Sequence, residues 1–214
     1  MTPAQFILAH TAVTSPPACP ELRLHLATEI TPLWQATEDF FERHNVPPPY
    51  WAFPWVGGQA LARHILDHPE LVAGKSVLDF ASGSGLVGIA AKLAGARSVL
   101  ATDIDKVALF AIALNAETNG VVIEASDRDV LDSDDCPWDL IVAGDVCYEK
   151  PMAEKVFAWL RRCSAGGAKA LMADPGRAYL PKTGLMRVSE MTVACSLELE
   201  DKTSRDVSIY QIVG

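Results

Sequence analysis

No apolar run in the sequence approaches the roughly 18–20 residues that a membrane-spanning helix needs, so no membrane segment is expected. Basic residues are scarce. Lysine and arginine number 18 against 27 aspartates and glutamates, a formal charge of −9 over 214 residues. A sequence-blind nucleic-acid binder needs many phosphate-neutralising cations, which disfavours that class. A basic protein segment or a neutral partner suits the charge better. The opening MTPAQFILAHTAV has no basic segment ahead of an apolar stretch and no small-residue cleavage site, and no arginine precedes Arg23. Neither a secretory leader nor an Arg-rich transit peptide is expected. Cys19, Cys136, Cys147, Cys163 and Cys195 are odd in number, far apart and contain no C-x-x-C pair. They read as reduced thiols in a cytoplasmic compartment. No Cys/His cluster has ligand spacing and the five histidines are scattered, so no metal is expected.

What is present is a chain with 50% apolar and 21% charged residues, enough for a sizeable core and too little charge for wholesale disorder. Residues 1–55 carry most of the prolines and read as an extension packed on one main domain over 56–214. Within it, 21–26 alternates polar and apolar as a short strand does, and 31–44 has Leu33, Trp34, Thr37, Phe40 and Phe41 near helical spacing. From Gly57 the pattern becomes regular. Helices are expected over 57–67, 86–93, 106–119 and 151–162, with Pro151 in the first turn of the last, where a missing N–H costs little. Strands are expected over 76–80, 98–102, 121–125, 140–143 and 169–173. Two more, over 191–199 and 206–213, form a hairpin around the polar stretch 200–205. This alternation predicts an α/β fold, a doubly wound parallel sheet with an antiparallel hairpin at its edge. Ligands of such sheets sit at the carboxyl ends of the strands. The chemistry should therefore follow Phe80, Thr102, Ala125, Ala143 and Ala173.

Three acids occupy the first three of these places. Val77 to Gly85 reads VLDFASGSG: an acid, Asp79, near a strand end, then a loop of small residues opening a helix. Small residues admit close backbone approach. The loop lacks the lysine of a phosphate-binding loop, and Asp79 would repel a pyrophosphate but suits a cation such as an amino-acid amine. The alternative is a tight turn with no ligand. Asp103, at the next strand end, can accept from both hydroxyls of a ribose, as in nicotinamide enzymes. It could instead cap a helix, although Asp105 is better placed for that. In Asp127-Arg128-Asp129-Val130, a carboxylate can take an adenine amino group while the next backbone N–H reads the ring; a plain charged loop is the alternative. Together the acids describe a site for adenosine bearing a cationic amino-acid tail, which is S-adenosylmethionine.

The run 76–119 resembles the class I methyltransferases. Pro49-Tyr50-Trp51-Ala52, Trp55 and the stretch Gly57 to Arg63 resemble the N-terminal signature of the seven-strand protein-lysine methyltransferases. Gly144-Asp145-Val146-Cys147-Tyr148 matches that group's D-x-x-[YF] motif, and Asp174-Pro175-Gly176-Arg177 resembles the branch that methylates the electron transfer flavoprotein β subunit. Ala81 departs from the pattern, standing where these enzymes usually carry the first loop glycine. The resemblance implies a Rossmann-like seven-stranded sheet and a lysine-bearing protein as partner; a monomer is expected, and charge and hydropathy add the expectation of no nucleic acid and no membrane. It implies that Trp55, Asp79, Ala81, Ser82, Gly83, Gly85, Asp103, Ile104, Asp129, Val130 and Gly144 hold S-adenosyl-L-methionine. Trp51, Asp174 and Arg177 would meet the protein substrate, and Asp145 and Tyr148 the amine.

Physical reasoning agrees with the last of these. Methylation of lysine needs a neutral amine aligned with a methyl group. A strand-end carboxylate can hold it and orient its lone pair, while the Tyr148 ring can exclude water and face a cationic amine. Trp51 and Trp55 could equally anchor the extension, and Trp138 and Trp159 read as core. Three other readings stand beside this one: the same chemistry on another protein such as a ribosomal protein, a nicotinamide-dependent oxidoreductase, or a binding module without turnover.

Overall fold

The computed structural model describes residues 2–28, 33, 48–133 and 135–213. The helix expected over 31–44 falls, Leu33 apart, outside the described residues. The chain opens with α1 (Pro3–His10), held by a capping box in which Thr2 and Gln5 exchange side-chain and backbone bonds. Strand β1 (Ala12–Thr14) pairs antiparallel with β2 (Leu24–Leu26) as a separate two-stranded sheet.

The main layer then follows in chain order. It begins α2 (Val56–Asp67), β3 (Ser76–Phe80), α3 (Leu86–Leu93), β4 (Ser98–Thr102), α4 (Lys106–Thr118) and β5 (Glu124–Ser126). It continues β6 (Leu140–Gly144), α5 (Lys150–Ala165), β7 (Lys169–Asp174), β8 (Leu185–Ala194), α6 (Leu197–Glu200) and β9 (Ser204–Ile212). The sheet order is β5-β4-β3-β6-β7-β9-β8. All neighbours are parallel except β9, which runs antiparallel to both β7 and β8. The expected doubly wound seven-stranded sheet with its antiparallel end is therefore present, and the order reverses between β3 and β6.

Alternate residues of the central strands feed two cores, as a period of two requires. Val77, Leu140, Val142 and Leu171 pack with Ala60, Leu61 and Ile65 of α2 and Val87 of α3. Leu78, Ile141, Ala143 and Met172 pack with Val156, Trp159 and Leu160 of α5. Trp159 is fully buried, its ring centroid 5.4 Å from that of Phe80. In the N-terminal stretch, Cys19, Leu22, Leu24 and Leu26 lie against Ala62, Leu86, Ile89 and Ala116.

Two expectations are corrected. First, the strand before the hairpin begins at Leu185 and ends at Ala194, and residues 197–200 are a helical turn instead of strand. Ser196 caps that turn by accepting from Leu199 N–H, and Asp201 leaves it in the left-handed region. Second, Cys136 and Cys163 form a disulfide, with a Cα–Cα separation of 5.4 Å; Cys19, Cys147 and Cys195 are free. The loop after β5 returns onto α5, a tertiary proximity that cysteine spacing does not encode.

Candidate active site

The ends of strands β3, β4 and β6 open on a cavity of about 600 Å³, which the turn after β7 reaches through Arg177; the volume is within the usual range for small-molecule sites. Its first wall is the loop after β3. Ala81 (φ 51°) and the glycines Gly83 (φ 55°) and Gly85 (φ 84°) are left-handed, and Gly85 hands the chain to α3. This explains the preference for glycine at position 81. A left-handed alanine costs about 1–2 kcal/mol, and this chain accepts that strain. Asp79 lies beneath, 2% exposed. Its Oδ2 accepts from Ser82 Oγ at 2.5 Å and from Gly88 N–H at 2.8 Å. Burial pushes its carboxyl up to about 7, and the bonds from Ser82 and Gly88 only partly offset that.

Asp103 stands beyond the end of β4. Its Oδ2 accepts from Gly83 N–H at 2.8 Å and its Oδ1 from Asp105 N–H at 2.9 Å. These bonds tie the first two loops together and leave each oxygen a further acceptor site. Burial raises its carboxyl above the ordinary range. Asp105 is the cap of α4, accepting from Val107 N–H at 2.8 Å, as its position suggested. Ile104 and Asp129 also line the cavity. Val130 does not; its side chain is buried in the core, so only its backbone is left to meet a ligand. Gly85 is likewise absent from the wall and shapes the turn behind it.

The residues before α2 form an aromatic side. Trp51, Tyr50, Phe53 and Trp55 all line the cavity. Trp51 is 2% exposed and packs with Phe6, Ile7 and Ala111, so it is both anchor and wall. Tyr50 lies 5.8 Å from the Trp55 ring and 5.7 Å from that of Tyr148, centroid to centroid. Tyr148 is 45% exposed at the opening, and burial of part of its ring pushes its phenol up to about 12.

Asp145 follows β6 with φ 57°, one of three non-glycine residues described in the left-handed region. Its Oδ2 accepts from Gly57 N–H in the first turn of α2 at 2.5 Å. That helix N-terminus favours an anion. Its Oδ1 accepts from Arg177 Nε at 3.1 Å and Nη2 at 2.7 Å. The close fit of α2 depends on two glycines: a Cβ on Gly57 would stand 2.5 Å from Asp145 Oδ2, and one on Gly144 2.8 Å from Gly58 N. Burial pushes Asp145 up to about 6, with the Arg177 charge and hydrogen bonds pulling against it. That leaves the ionised form of Asp145 the larger fraction at neutral pH.

Arg177 lines the cavity, its guanidinium 5.9 Å from the centre of the Trp55 ring. Asp174 does not line it. Its Oδ1 accepts from Gly176 and Arg177 N–H at 2.7 and 2.6 Å and so shapes the turn that presents Arg177. Sequence reasoning missed Glu200, which is 2% exposed and receives Arg177 from the far side. Its only sequence signal is one more acid in a polar stretch. Among the described residues no group of three or more His, Cys, Asp or Glu is arranged to hold a metal.

Residues 61–146 match the family model of ribosomal protein L11 methyltransferase (PrmA). Over 206 residues the chain is 39% identical to the electron transfer flavoprotein beta subunit lysine methyltransferase of Xenopus laevis, covering 95% of this chain and 82% of that one. It is 41% identical over 175 residues to the Rattus norvegicus protein of the same name, covering 80% and 68%. The magnesium protoporphyrin IX methyltransferase of Synechocystis PCC 6803, solved with bound SAM, shares the fold at a TM-score of 0.53 and 17% identity, with 84% and 96% of the two chains covered.

Proposed function

The chain belongs to the electron transfer flavoprotein beta subunit lysine methyltransferases, and we infer that it moves a methyl group from S-adenosyl-L-methionine to a lysine amine of electron transfer flavoprotein subunit β. The observation that carries the reading is one cavity whose wall includes both Asp79 and Asp103 and the pair Asp145 and Tyr148. A donor site and an amine-holding site then share one enclosure.

The residues fit the donor. Among the described residues no cation pairs with Asp79, whose bonds come from Ser82 and Gly88; an α-ammonium group is the complement it lacks. Asp103 keeps acceptor capacity for two ribose hydroxyls, and Asp129 with the Val130 backbone meets the adenine edge. Trp55, Ala81, Ser82, Gly83, Ile104 and Gly144 complete the wall, and Gly85 sets the turn. When bound, S-adenosylmethionine supplies an electrophilic methyl group on a sulfonium.

Asp145 orients the lysine amine by accepting its N–H, which aligns the nitrogen lone pair. It need not act as a strong base, because the ammonium proton can leave to water before attack. Tyr148 and Tyr50 screen the opening from water and offer ring faces to the cationic amine. Trp51 stiffens this wall, and Arg177 on its Asp174 turn stands where the acceptor protein arrives. The ribosomal-protein alternative rests on residues 61–146, which carry the donor loops and end before Arg177, so they do not select an acceptor.

We take residues 1–55 as an extension on a single methyltransferase domain, monomeric, in a cytoplasmic compartment, without nucleic-acid or membrane partners. The charge of −9 supports the lack of a nucleic-acid partner, and among the described residues no helix is long and apolar enough to cross a membrane, while the Cys136–Cys163 disulfide weighs against a reducing compartment. Light scattering on the purified protein checks the monomer. The activity is tested by incubating the protein with methyl-labelled S-adenosylmethionine and either electron transfer flavoprotein subunit β or ribosomal protein L11, then locating the label by mass spectrometry. Label on a lysine of the first protein is expected. Label on the second alone, or on no lysine, would refute the assignment.

A further inference from the structure

Arg177 is shared between two acids. Beyond its two bonds to Asp145, its Nη1 gives to Glu200 Oε2 at 3.0 Å and its Nη2 to Glu200 Oε1 at 2.6 Å, a two-pronged fork. Glu200 ends α6, in the connection between β8 and β9, far along the chain from β6. Its outer side faces Arg205, whose Nε is 3.3 Å from Oε2 and whose Nη2 donates to the Glu200 carbonyl at 2.7 Å. Of these side chains Glu200 is 2% exposed, Asp145 10%, Arg177 20% and Arg205 27%. A buried charge so arranged must be balanced by its partners. Asp174 lies close enough to Asp145 and Arg177 to act on both, and the Cys147 thiol stands beside Asp174. With the carboxylates ionised, three anions and two cations leave the cluster one negative charge in excess.

We propose that Glu200 is a positioning residue for amine methylation, acting on Asp145 through Arg177. Arg177 facing Asp145 alone would neutralise it, and an arriving ammonium group would meet no net anion. Glu200 takes half of the guanidinium's hydrogen bonds and balances its charge. Asp145 is then fixed in orientation by Arg177 and Gly57 within a group that carries one negative charge in excess. Three N–H donors are described on Asp145, two on Oδ1 and one on Oδ2. A carboxylate offers about four acceptor sites, so one on Oδ2 is left for the substrate amine. The excess of one negative charge matches one lysine ammonium. This role rests on the lysine-methylation reading, but the charge relay itself does not.

The groups acting on Asp145 are Arg177, Asp174, Cys147 and the Gly57 N–H, with Glu200 and Arg205 behind Arg177. The test compares Glu200→Gln and Arg205→Gln with the parent. Two readouts are used: the Asp145 carboxyl titration by carbon NMR of aspartate-labelled protein, and single-turnover transfer to the acceptor protein at saturating donor. Glu200→Gln removes an anion and should move the Asp145 midpoint down by at least about half a unit. Arg205→Gln removes a cation and should move it up. Glu200→Gln should also lower kcat/KM for the acceptor at least tenfold, with donor affinity within twofold of the parent.

Midpoints that shift the same way in both variants, or in neither, show no coupling of Glu200 to Asp145 and overturn the proposal. So does a kcat/KM within twofold of the parent in Glu200→Gln. If Glu200→Gln does not fold, the more exposed Arg205→Gln decides alone: an upward midpoint supports the relay and an unmoved one refutes it. A parent that methylates no lysine would refute the functional reading, while the titrations would still report on the relay.

Discussion

The raised carboxyl of Asp79 makes donor binding pH-dependent in a calculable way. In the free protein Asp79 titrates at about 7, against about 3.9 for an unperturbed aspartate. The folded state therefore holds this proton more tightly than the unfolded one. The resulting stabilisation is complete below about pH 4 and is lost as pH rises through about 7. The cationic α-amine of the donor needs the ionised form, so binding must first remove the proton. The apparent dissociation constant then scales with one plus the ratio of protonated to ionised Asp79. That factor is about 2 at pH 7 and about 11 at pH 6, so affinity should weaken about fivefold over this unit, or ~1 kcal/mol. Further acidification should cost about tenfold per unit. An α-amine with a pKa of about 7.7–8.0 stays mainly cationic below pH 7 and adds little. Calorimetry in buffers of different ionisation enthalpy should also show proton release on binding near pH 7. Adenosine lacks the amino-acid tail and should show a flatter profile, and Asp79→Asn should flatten that of S-adenosylmethionine. An unchanged donor affinity between pH 7 and pH 6, or an adenosine profile as steep as the donor's, would refute the pairing of Asp79 with the amine.

Three other perturbations probe the rest of the site. Asp103→Ala removes an acceptor for two ribose hydroxyls, each charge-assisted bond contributing about 1.5–3 kcal/mol; donor affinity should fall at least tenfold by calorimetry with the fold intact by circular dichroism. Asp145→Asn keeps shape but removes the charge that holds the amine. Single-turnover transfer should slow at least about a hundredfold, or ~2.7 kcal/mol, while Tyr148→Phe, which keeps the ring, should be milder. Gly57→Ala sets a methyl group 2.5 Å from Asp145 Oδ2 and 2.8 Å from the Ala173 carbonyl. It should lower stability by about 1–3 kcal/mol in denaturant melts and reduce turnover by displacing Asp145.

The alternation of apolar runs and helical spacing from Gly57 onward made the parallel sheet legible, because the buried central stretches 140–143 and 170–173 are apolar throughout. The acids that line the cavity, Asp79, Asp103 and Asp129, were legible because strand ends are where such sheets place ligands. Strand β1 was not. All three of its residues are exposed, so no alternation marks it. Asp174 and Arg177 looked equivalent as two charges on one turn, yet only Arg177 reaches the cavity, since the Asp174 carboxyl accepts the turn's own N–H groups. Glu200 was illegible for a different reason. Polar stretches between strands are ordinarily solvated, and nothing local shows that Arg177 and Arg205 enclose this acid.

The docking of α2 also bears on the order of events. Trp55, at the cap of that helix, lines the cavity, and Gly57, two residues on, holds Asp145. The aromatic stretch proposed to face the donor and the acid proposed to face the amine are thus one short lever, with a single N–H joining its arms. A donor that settles the aromatic arm also settles the acid, before any acceptor lysine is present. Steady-state kinetics should accordingly be sequential with the donor entering first. The demethylated donor should then compete with S-adenosylmethionine, but not with the acceptor protein.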